Sequence, residues 1–212
     1  MSSPSTINVL AGVNGSGKSS IAGAAIREAG AAYYNPDEIA QKLRALHPYM
    51  NPQIANAHAW SMGRDLLQES IQFGKNFTFE TTLGGKTITS LLLEAAAKGM
   101  RVSVWYAGLD SVEKNIARVC ERVARGGHDI PEADIRKRWD SSRRNLLVLL
   151  PHLDRLRLYD NTIEADFEKG VPPQLKLLLA MENGRISGPN DLSRAFEWSK
   201  PIIAAAIRCD GR

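Results

Sequence analysis

Apolar and polar positions alternate along this chain in blocks that switch between strand-like runs and helix-like periods. Thr6-Ile-Asn-Val-Leu-Ala11 is a short apolar run suited to a buried strand, and an Ala-rich helical stretch follows from Ser19 to Glu28. Ala31–Tyr34, Asn76–Phe79, Arg101–Tyr106 and Leu156–Tyr159 read as further strands, with Leu175–Ala180 as a sixth before the turn residues Asn183-Gly184. Between them lie helical segments. Asn35-Pro-Asp-Glu38 opens one, with Asn35 as N-cap, Pro36 at the first position and Glu38 closing a capping box. Gln53–Phe73 is a long helix ended by Gly74, and Lys86–Lys98 is closed by Gly99. Asp110 and Glu113 form a second capping box for a helix to about Arg125, and Pro131 starts another that runs to about Leu150. From Asp191 onward the pattern is helical, with Pro201 as an interruption.

Strands that alternate with helices predict an α/β fold. Its sheet is mostly parallel, of five to six strands, with helices on both faces. No internal repeat or linker divides the 212 residues, so a single domain spanning 1–212 is expected. In such sheets, ligands bind beyond the carboxyl ends of the strands. The residues just after each strand therefore carry the functional argument.

After the first strand stands Gly12-Val-Asn-Gly-Ser-Gly-Lys18-Ser19, a complete Gly-x4-Gly-Lys-Ser phosphate loop between a strand and a helix. Its glycines let successive N–H groups turn toward one anion, and the new helix adds its positive end. Gly12, Asn14, Gly15, Ser16, Gly17, Lys18, Ser19 and Ser20 are the predicted ATP-binding residues. Lys18 reaches the β/γ-phosphates, and the Ser19 hydroxyl ligates Mg²⁺. Asp37, after the second strand, suits a base for an acceptor hydroxyl. Glu80, after the third, stands before Thr81, Thr82 and a double glycine. It can hold Mg²⁺ directly or through water, or hydrogen-bond an acceptor.

Arg118, Arg122 and Arg125 fall at i, i+4 and i+7, on one helical face. They run into Gly126-Gly127-His128, read as a flexible loop, and then a basic helix with Arg136, Arg138, Arg143 and Arg144. The segment 118–145 is predicted to be a hinged, Arg-bearing lid that neutralises the transferring phosphoryl group. Arg143 and Arg144 read as surface or structural, and Lys86 and Arg64 as exposed.

Composition narrows the classes. No apolar run reaches the length of a membrane span, and the first residues lack a signal-peptide pattern, so a cytoplasmic protein is expected. Two cysteines make no CxxC pair, and the four histidines show no metal-ligand spacing. A net charge of +4 fits a polyanionic small molecule, and no long Lys/Arg block argues for nucleic acid. No Asn-Lys-x-Asp guanine motif supports a GTPase switch.

The ordered set Gly-x-Asn-Gly-Ser-Gly-Lys-Ser, Asn-Pro-Asp-Glu-Ile-Ala, Phe-Glu-Thr-Thr-Leu and Arg-x3-Arg-x2-Arg-Gly-Gly-His-Asp-Ile-Pro resembles the zeta toxin family of P-loop kinases over roughly Ile7 to Tyr159. The resemblance implies an ATP- and Mg²⁺-dependent kinase acting on the 3′-hydroxyl of the amino sugar in UDP-N-acetylglucosamine. It implies Lys18 and Ser19 as phosphate and Mg²⁺ residues, and Asp37 as catalytic base. It further implies Glu80 and Thr82 at the substrate, and Arg118 or Arg122, with Arg125, on the ATP phosphates. An antitoxin partner is typical of plasmid members. The Asn-Gly-Ser loop and Gly-Gly-His segment are similar to a chromosomal branch, in which the acceptor does not carry over automatically. Other readings stay open: a polynucleotide or nucleotide kinase, a non-catalytic ATP-dependent switch, and a toxin–antitoxin interaction protein.

Overall fold

A six-stranded sheet in the order β2-β1-β3-β4-β5-β6 organises the protein. The computed structural model describes residues 4–18, 33–163, 174–193 and 195–210. In chain order these form β1 (Thr6–Ala11), α1 (Pro36–Leu46), α2 (Pro52–Phe73), β2 (Phe77–Thr81), α3 (Lys86–Ala97), β3 (Arg101–Gly108), α4 (Val112–Ala124), α5 (Glu132–Leu149), β4 (Arg155–Ile163), β5 (Gln174–Glu182), β6 (Arg185–Gly188) and α6 (Lys200–Cys209). The helix expected at Ser19–Glu28 lies outside the described residues.

The sheet is mostly parallel, as its alternating pattern predicts. β1 pairs in parallel with both β2 and β3, and β3 with β4. β5 and β6 add antiparallel to the β4 edge. Val102, Ser103 and Val104 are buried in succession on β3, as are Val9, Leu10 and Ala11 on β1. Successive strand residues face opposite ways, so these strands are covered on both faces. Fully burying one such Val, Leu or Ile side chain contributes about 1.5–3 kcal/mol.

Most elements follow the sequence pattern, and the differences have local causes. Of the short strand expected at Ala31–Tyr34, the described part is one parallel bridge, Tyr34 to Phe79. Tyr34 N–H donates to Thr78 O at 2.8 Å, and Glu80 N–H to Tyr34 O at 2.9 Å. β6 was not expected. It follows a tight turn whose two residues, Asn183 (φ 51°) and Gly184 (φ 75°), both take the left-handed conformation that a two-residue hairpin favours. α6 begins at Lys200, not near Asp191. Pro201 lies in its first turn, where a missing N–H goes unused, so it starts the helix instead of interrupting it. The N-cap of α4 is Ser111, whose Oγ accepts from Lys114 N–H. Asp110 instead takes the Lys114 ammonium at 2.8 Å.

Candidate active site

The carboxyl ends of β1 and β2 open into a cleft of about 350 Å³. Its walls come from the phosphate loop, the start of α1, one face of α2, the loop after β2, the loop between α4 and α5, and α5 itself.

The phosphate loop is tied down on two sides. Asn14 is buried. Its backbone carbonyl accepts from Asn115 Nδ2 at 2.7 Å on α4, and its side-chain Oδ1 from Arg138 Nη1 at 2.8 Å on α5. Asn161 Nδ2, on β4, donates to Ser16 O at 3.0 Å. Gly15 has φ +82°, and a Cβ there would stand 2.5 Å from Asn115 O, so both conformation and space demand glycine. Lys18 points into the cleft, where its Nζ lies 3.3 Å from Glu80 Oε1. Both side chains are nearly sealed from solvent, at 10% and 4% exposure. Each partner of this buried ion pair offsets the hydration the other has lost.

Asn35 joins this pair to the start of α1. Its Oδ1 accepts from Asp37 N–H at 2.9 Å and Glu38 N–H at 3.4 Å, which caps the helix. Its Nδ2 reaches Glu80 Oε2 and Glu38 Oε1, each at 3.4 Å. The cap fixes the first turn, so Asp37 stands exposed at the cleft wall beside the buried Lys18–Glu80 pair.

The opposite wall is helical. Asn56, Ala57, Trp60, Gly63 and Arg64 recur along one face of α2 and line the cleft. Trp60 keeps 44% of its surface exposed, with the Arg64 guanidinium 5.5 Å from its ring centre. After β2, Thr81 Oγ1 accepts from Leu83 N–H at 3.0 Å, which turns the chain so that Thr82 and Thr87 face the cleft.

Of the residues singled out from sequence, the fold brings Asn14, Lys18, Asp37, Glu80 and Thr82 to this one cleft, together with Arg64. Gly12, Gly15, Ser16 and Gly17 form the loop behind it, and Ser19 and Ser20 lie outside the described residues. The three lid arginines do not line it. Arg118 Nη2 donates to Asn161 O at 2.9 Å, Arg122 Nη2 to His128 O at 2.7 Å, and Arg125 is exposed at the end of α4. Lys86 is exposed outside the cleft. Two other arginines do enter: Arg138, whose stem crosses Gly84, and Arg64, which is half-buried in the wall and not simply exposed as its sequence context suggested. Nothing in the periodicity separates Arg138 from its basic neighbours on α5.

The segment read as a flexible loop is fastened. Gly126 N–H donates to Val123 O and Gly127 N–H to Arg122 O, each at 2.9 Å, with Gly126 at φ +84°. That double bond pattern is the glycine-terminated helix end. His128 then turns into the cleft and meets Asn56 Nδ2 at 3.0 Å through Nε2. Asn56 and Trp60 are site residues that the sequence did not flag, and His128 was singled out only as part of the Gly126-Gly127-His128 segment. Among the described residues, no group of three or more His, Cys, Asp or Glu forms a metal cluster, and no helix is long and apolar enough to cross a membrane.

Comparison with known proteins bears on this cleft directly. The zeta toxin family model matches residues 2–161, which includes every cleft-lining residue. The chain belongs to the zeta toxin family. An uncharacterized protein of Haemophilus influenzae is 32% identical over 128 residues, covering 60% of this chain and 88% of that one. Among solved structures, the AvrRxo1-ORF1:-ORF2 complex with ATP superposes at TM-score 0.59 and 14% identity, over 96% of this chain. This chain spans only 63% of that one. The PezAT chromosomal toxin–antitoxin system of Streptococcus pneumoniae matches at TM-score 0.54 and 15% identity, over 82% of this chain and 75% of that one. At such identities these structures share the fold. Family and fold together give this zeta toxin family member a P-loop NTPase fold.

Proposed function

We propose that this zeta toxin family member transfers the γ-phosphoryl group of ATP to a hydroxyl of a nucleotide sugar of the UDP-N-acetylglucosamine type. One observation carries the reading: Asp37, a carboxylate free to face a substrate, lines the same cleft as the buried Lys18–Glu80 pair. The Asn14–Lys18 loop takes the phosphates of ATP. Lys18, now held by Glu80, is poised to meet the anionic phosphoryl oxygens. The acceptor hydroxyl enters along α2 and gives its proton to Asp37. Its oxygen bonds to the γ-phosphorus as the bond from that phosphorus to the β,γ-bridging oxygen breaks, leaving ADP. Arg138 supplies positive charge from the α5 side. ATP use is supported by the family and by the ATP-bound AvrRxo1 complex.

Mg²⁺ fits the donor set. It keeps most of its waters and takes few protein oxygens beside phosphate oxygens. Glu80 offers a hard carboxylate at the right strand end, with Ser19 as the second donor that the motif supplies. The ion would neutralise charge on the triphosphate.

The test is mass spectrometry of nucleotide sugars incubated with ATP, Mg²⁺ and the protein. A product heavier by one phosphate on UDP-N-acetylglucosamine is expected. Asp37→Asn should lower the rate by about 10²–10⁴-fold and leave ATP affinity unchanged, as for loss of a general base. If ATP binds but no sugar nucleotide gains a phosphate, the acceptor assignment fails. PezAT is a toxin–antitoxin system, which supports a protein antitoxin as partner for this chain too. Growth arrest on expression of the chain alone, relieved by Asp37→Asn, would support that role; growth unaffected by the wild-type chain would remove it.

A further inference from the structure

The wall facing Asp37 is not one element but two, α2 and the loop after α4, and a single side-chain contact joins them. Asn56 presents its amide nitrogen, a donor, to His128 Nε2 at 3.0 Å. The imidazole must therefore accept there, which places its one proton on Nδ1 and leaves the ring neutral. The backbone of the same residue is held independently, since His128 O accepts from Arg122 Nη2 at 2.7 Å. Gly127 cannot carry a side chain, because a Cβ would stand 2.5 Å from Arg122 Cγ and 2.8 Å from Arg122 O. Loop and arginine are thus fitted to each other, and the ring of His128 is the part that reaches across to α2.

We propose that His128 is a positioning residue: through its neutral ring it clasps the loop between α4 and α5 onto Asn56 of α2, and so sets the wall that an acceptor meets opposite Asp37. That this wall receives an acceptor rests on the proposed kinase function; the clasp itself does not. Protonation removes the acceptor lone pair and turns two donors toward each other, so the clasp opens in acid.

The surroundings fix where this happens. The charged groups acting on the ring are Asp37 and Arg44 from α1, Arg122 from α4 and Asp129 from its own loop. Burial is the largest influence and lowers the pKa of His128 below 6.5. Asp37 and Asp129 oppose it, and the two arginines reinforce it. The sign follows. Below 6.5 the unfolded chain takes up the proton first, so the contact is whole above that pH and is lost as pH falls through the depressed folded value.

The test uses the full chain, with histidine NMR and amide exchange read together. In the wild type, His128 should show the Nδ1–H tautomer at pH 7.5 and titrate below 6.5. Amides 126–130 should exchange roughly fivefold faster in Asn56→Ala, as expected for one lost hydrogen bond. The wild-type protection factors of these amides, with the pH dependence of intrinsic exchange divided out, should fall between pH 7.5 and 5.5. His128→Gln, whose Oε1 can accept from Asn56 at every pH, should restore the protection and abolish that pH dependence. A merely structural histidine would not be rescued in this way. An Nε2–H tautomer, or loop exchange unmoved by Asn56→Ala, would overturn the proposal. None of these readouts needs phosphoryl transfer. An intact clasp without turnover would therefore count against the kinase reading alone, and turnover without a clasp against His128 alone.

Discussion

The two ends of the cleft are built on opposite principles. At the phosphate-loop end, Asn14, Lys18, Asn35 and Glu80 are all buried, and each is hydrogen-bonded or ion-paired to a neighbour. At the other end, Asp37, Ala57 and Trp60 are exposed, and Asn56 and His128 are half-buried. Shielded charges interact strongly and reorganise little, which suits a triphosphate donor that is the same molecule in every cycle. An open wall of amide, indole and imidazole is completed by what binds there. On the proposed function, the donor end is thus pre-formed, and the acceptor end is where members of one fold can differ in substrate.

The largest effect should come from breaking the buried pair. Lys18→Ala removes the cation proposed to bind phosphate and takes from the buried Glu80 carboxylate its ammonium partner. We expect turnover to vanish and stability to fall by about 3–5 kcal/mol, the usual result of removing one partner of a buried ion pair. Urea unfolding checks this, and Lys18→Ala with Glu80→Gln should recover part of the stability without activity. If Lys18→Ala unfolds at the same urea concentration as the wild type, the donor end is wetter than its burial implies and the contrast between the two ends fails.

Arginine placement sharpens the same contrast at smaller magnitude. Arg138 bonds Asn14 Oδ1 from within the cleft, whereas Arg125 stands exposed outside it. Arg138→Ala should lower kcat by about 10²–10³-fold, as for loss of one aimed electrostatic group. Arg125→Ala should change it by no more than about twofold, as for a surface substitution. Steady-state kinetics that reverse this order would mean that α4 swings over the phosphates during turnover and that Arg125, not Arg138, meets them.

The donor end was legible because its information is contiguous. A phosphate loop needs glycines, a lysine and a hydroxyl at fixed spacing between a strand and a helix, and Gly12–Ser19 has them in order. Asn35 likewise announced its cap, since capping is decided within four residues, and Glu80 was found because strand ends are where ligands sit. What the chain could not reveal was which helix face looks inward across a long sequence gap. Arg138 lies 124 residues from Asn14, and Arg136 beside it instead pairs with Glu132 and Glu113. Both arginines have an acidic residue four positions earlier, so local pattern treats them alike. Arg118 and Arg122 share a face as their spacing requires, but that face is spent on backbone carbonyls of Asn161 and His128. Asn56 and Trp60 fall on a helix whose pattern marks no site, and only the loop that closes over them shows which turn matters.

Trp60 offers the smallest and most selective way to test the open end. Its indole is 44% exposed inside a cleft, an unusual place to leave so large an apolar surface unless something covers it. Arg64, itself paired with Asp65 at 2.6 Å, already lies over the ring, 5.5 Å from its centre, and the rest of the indole is left as an open apolar surface. A ring of the acceptor laid on that surface would gain about 0.5–1.5 kcal/mol beyond the area it buries. Trp60→Ala should therefore raise the acceptor KM by roughly tenfold, leave the KM for ATP unchanged and barely move kcat, the signature of lost uniform binding. The KM for ATP is the sharper half of this test. If it rises together with that of the acceptor, the two ends of the cleft are coupled through α2, and the open wall is as much a part of the donor site as Lys18.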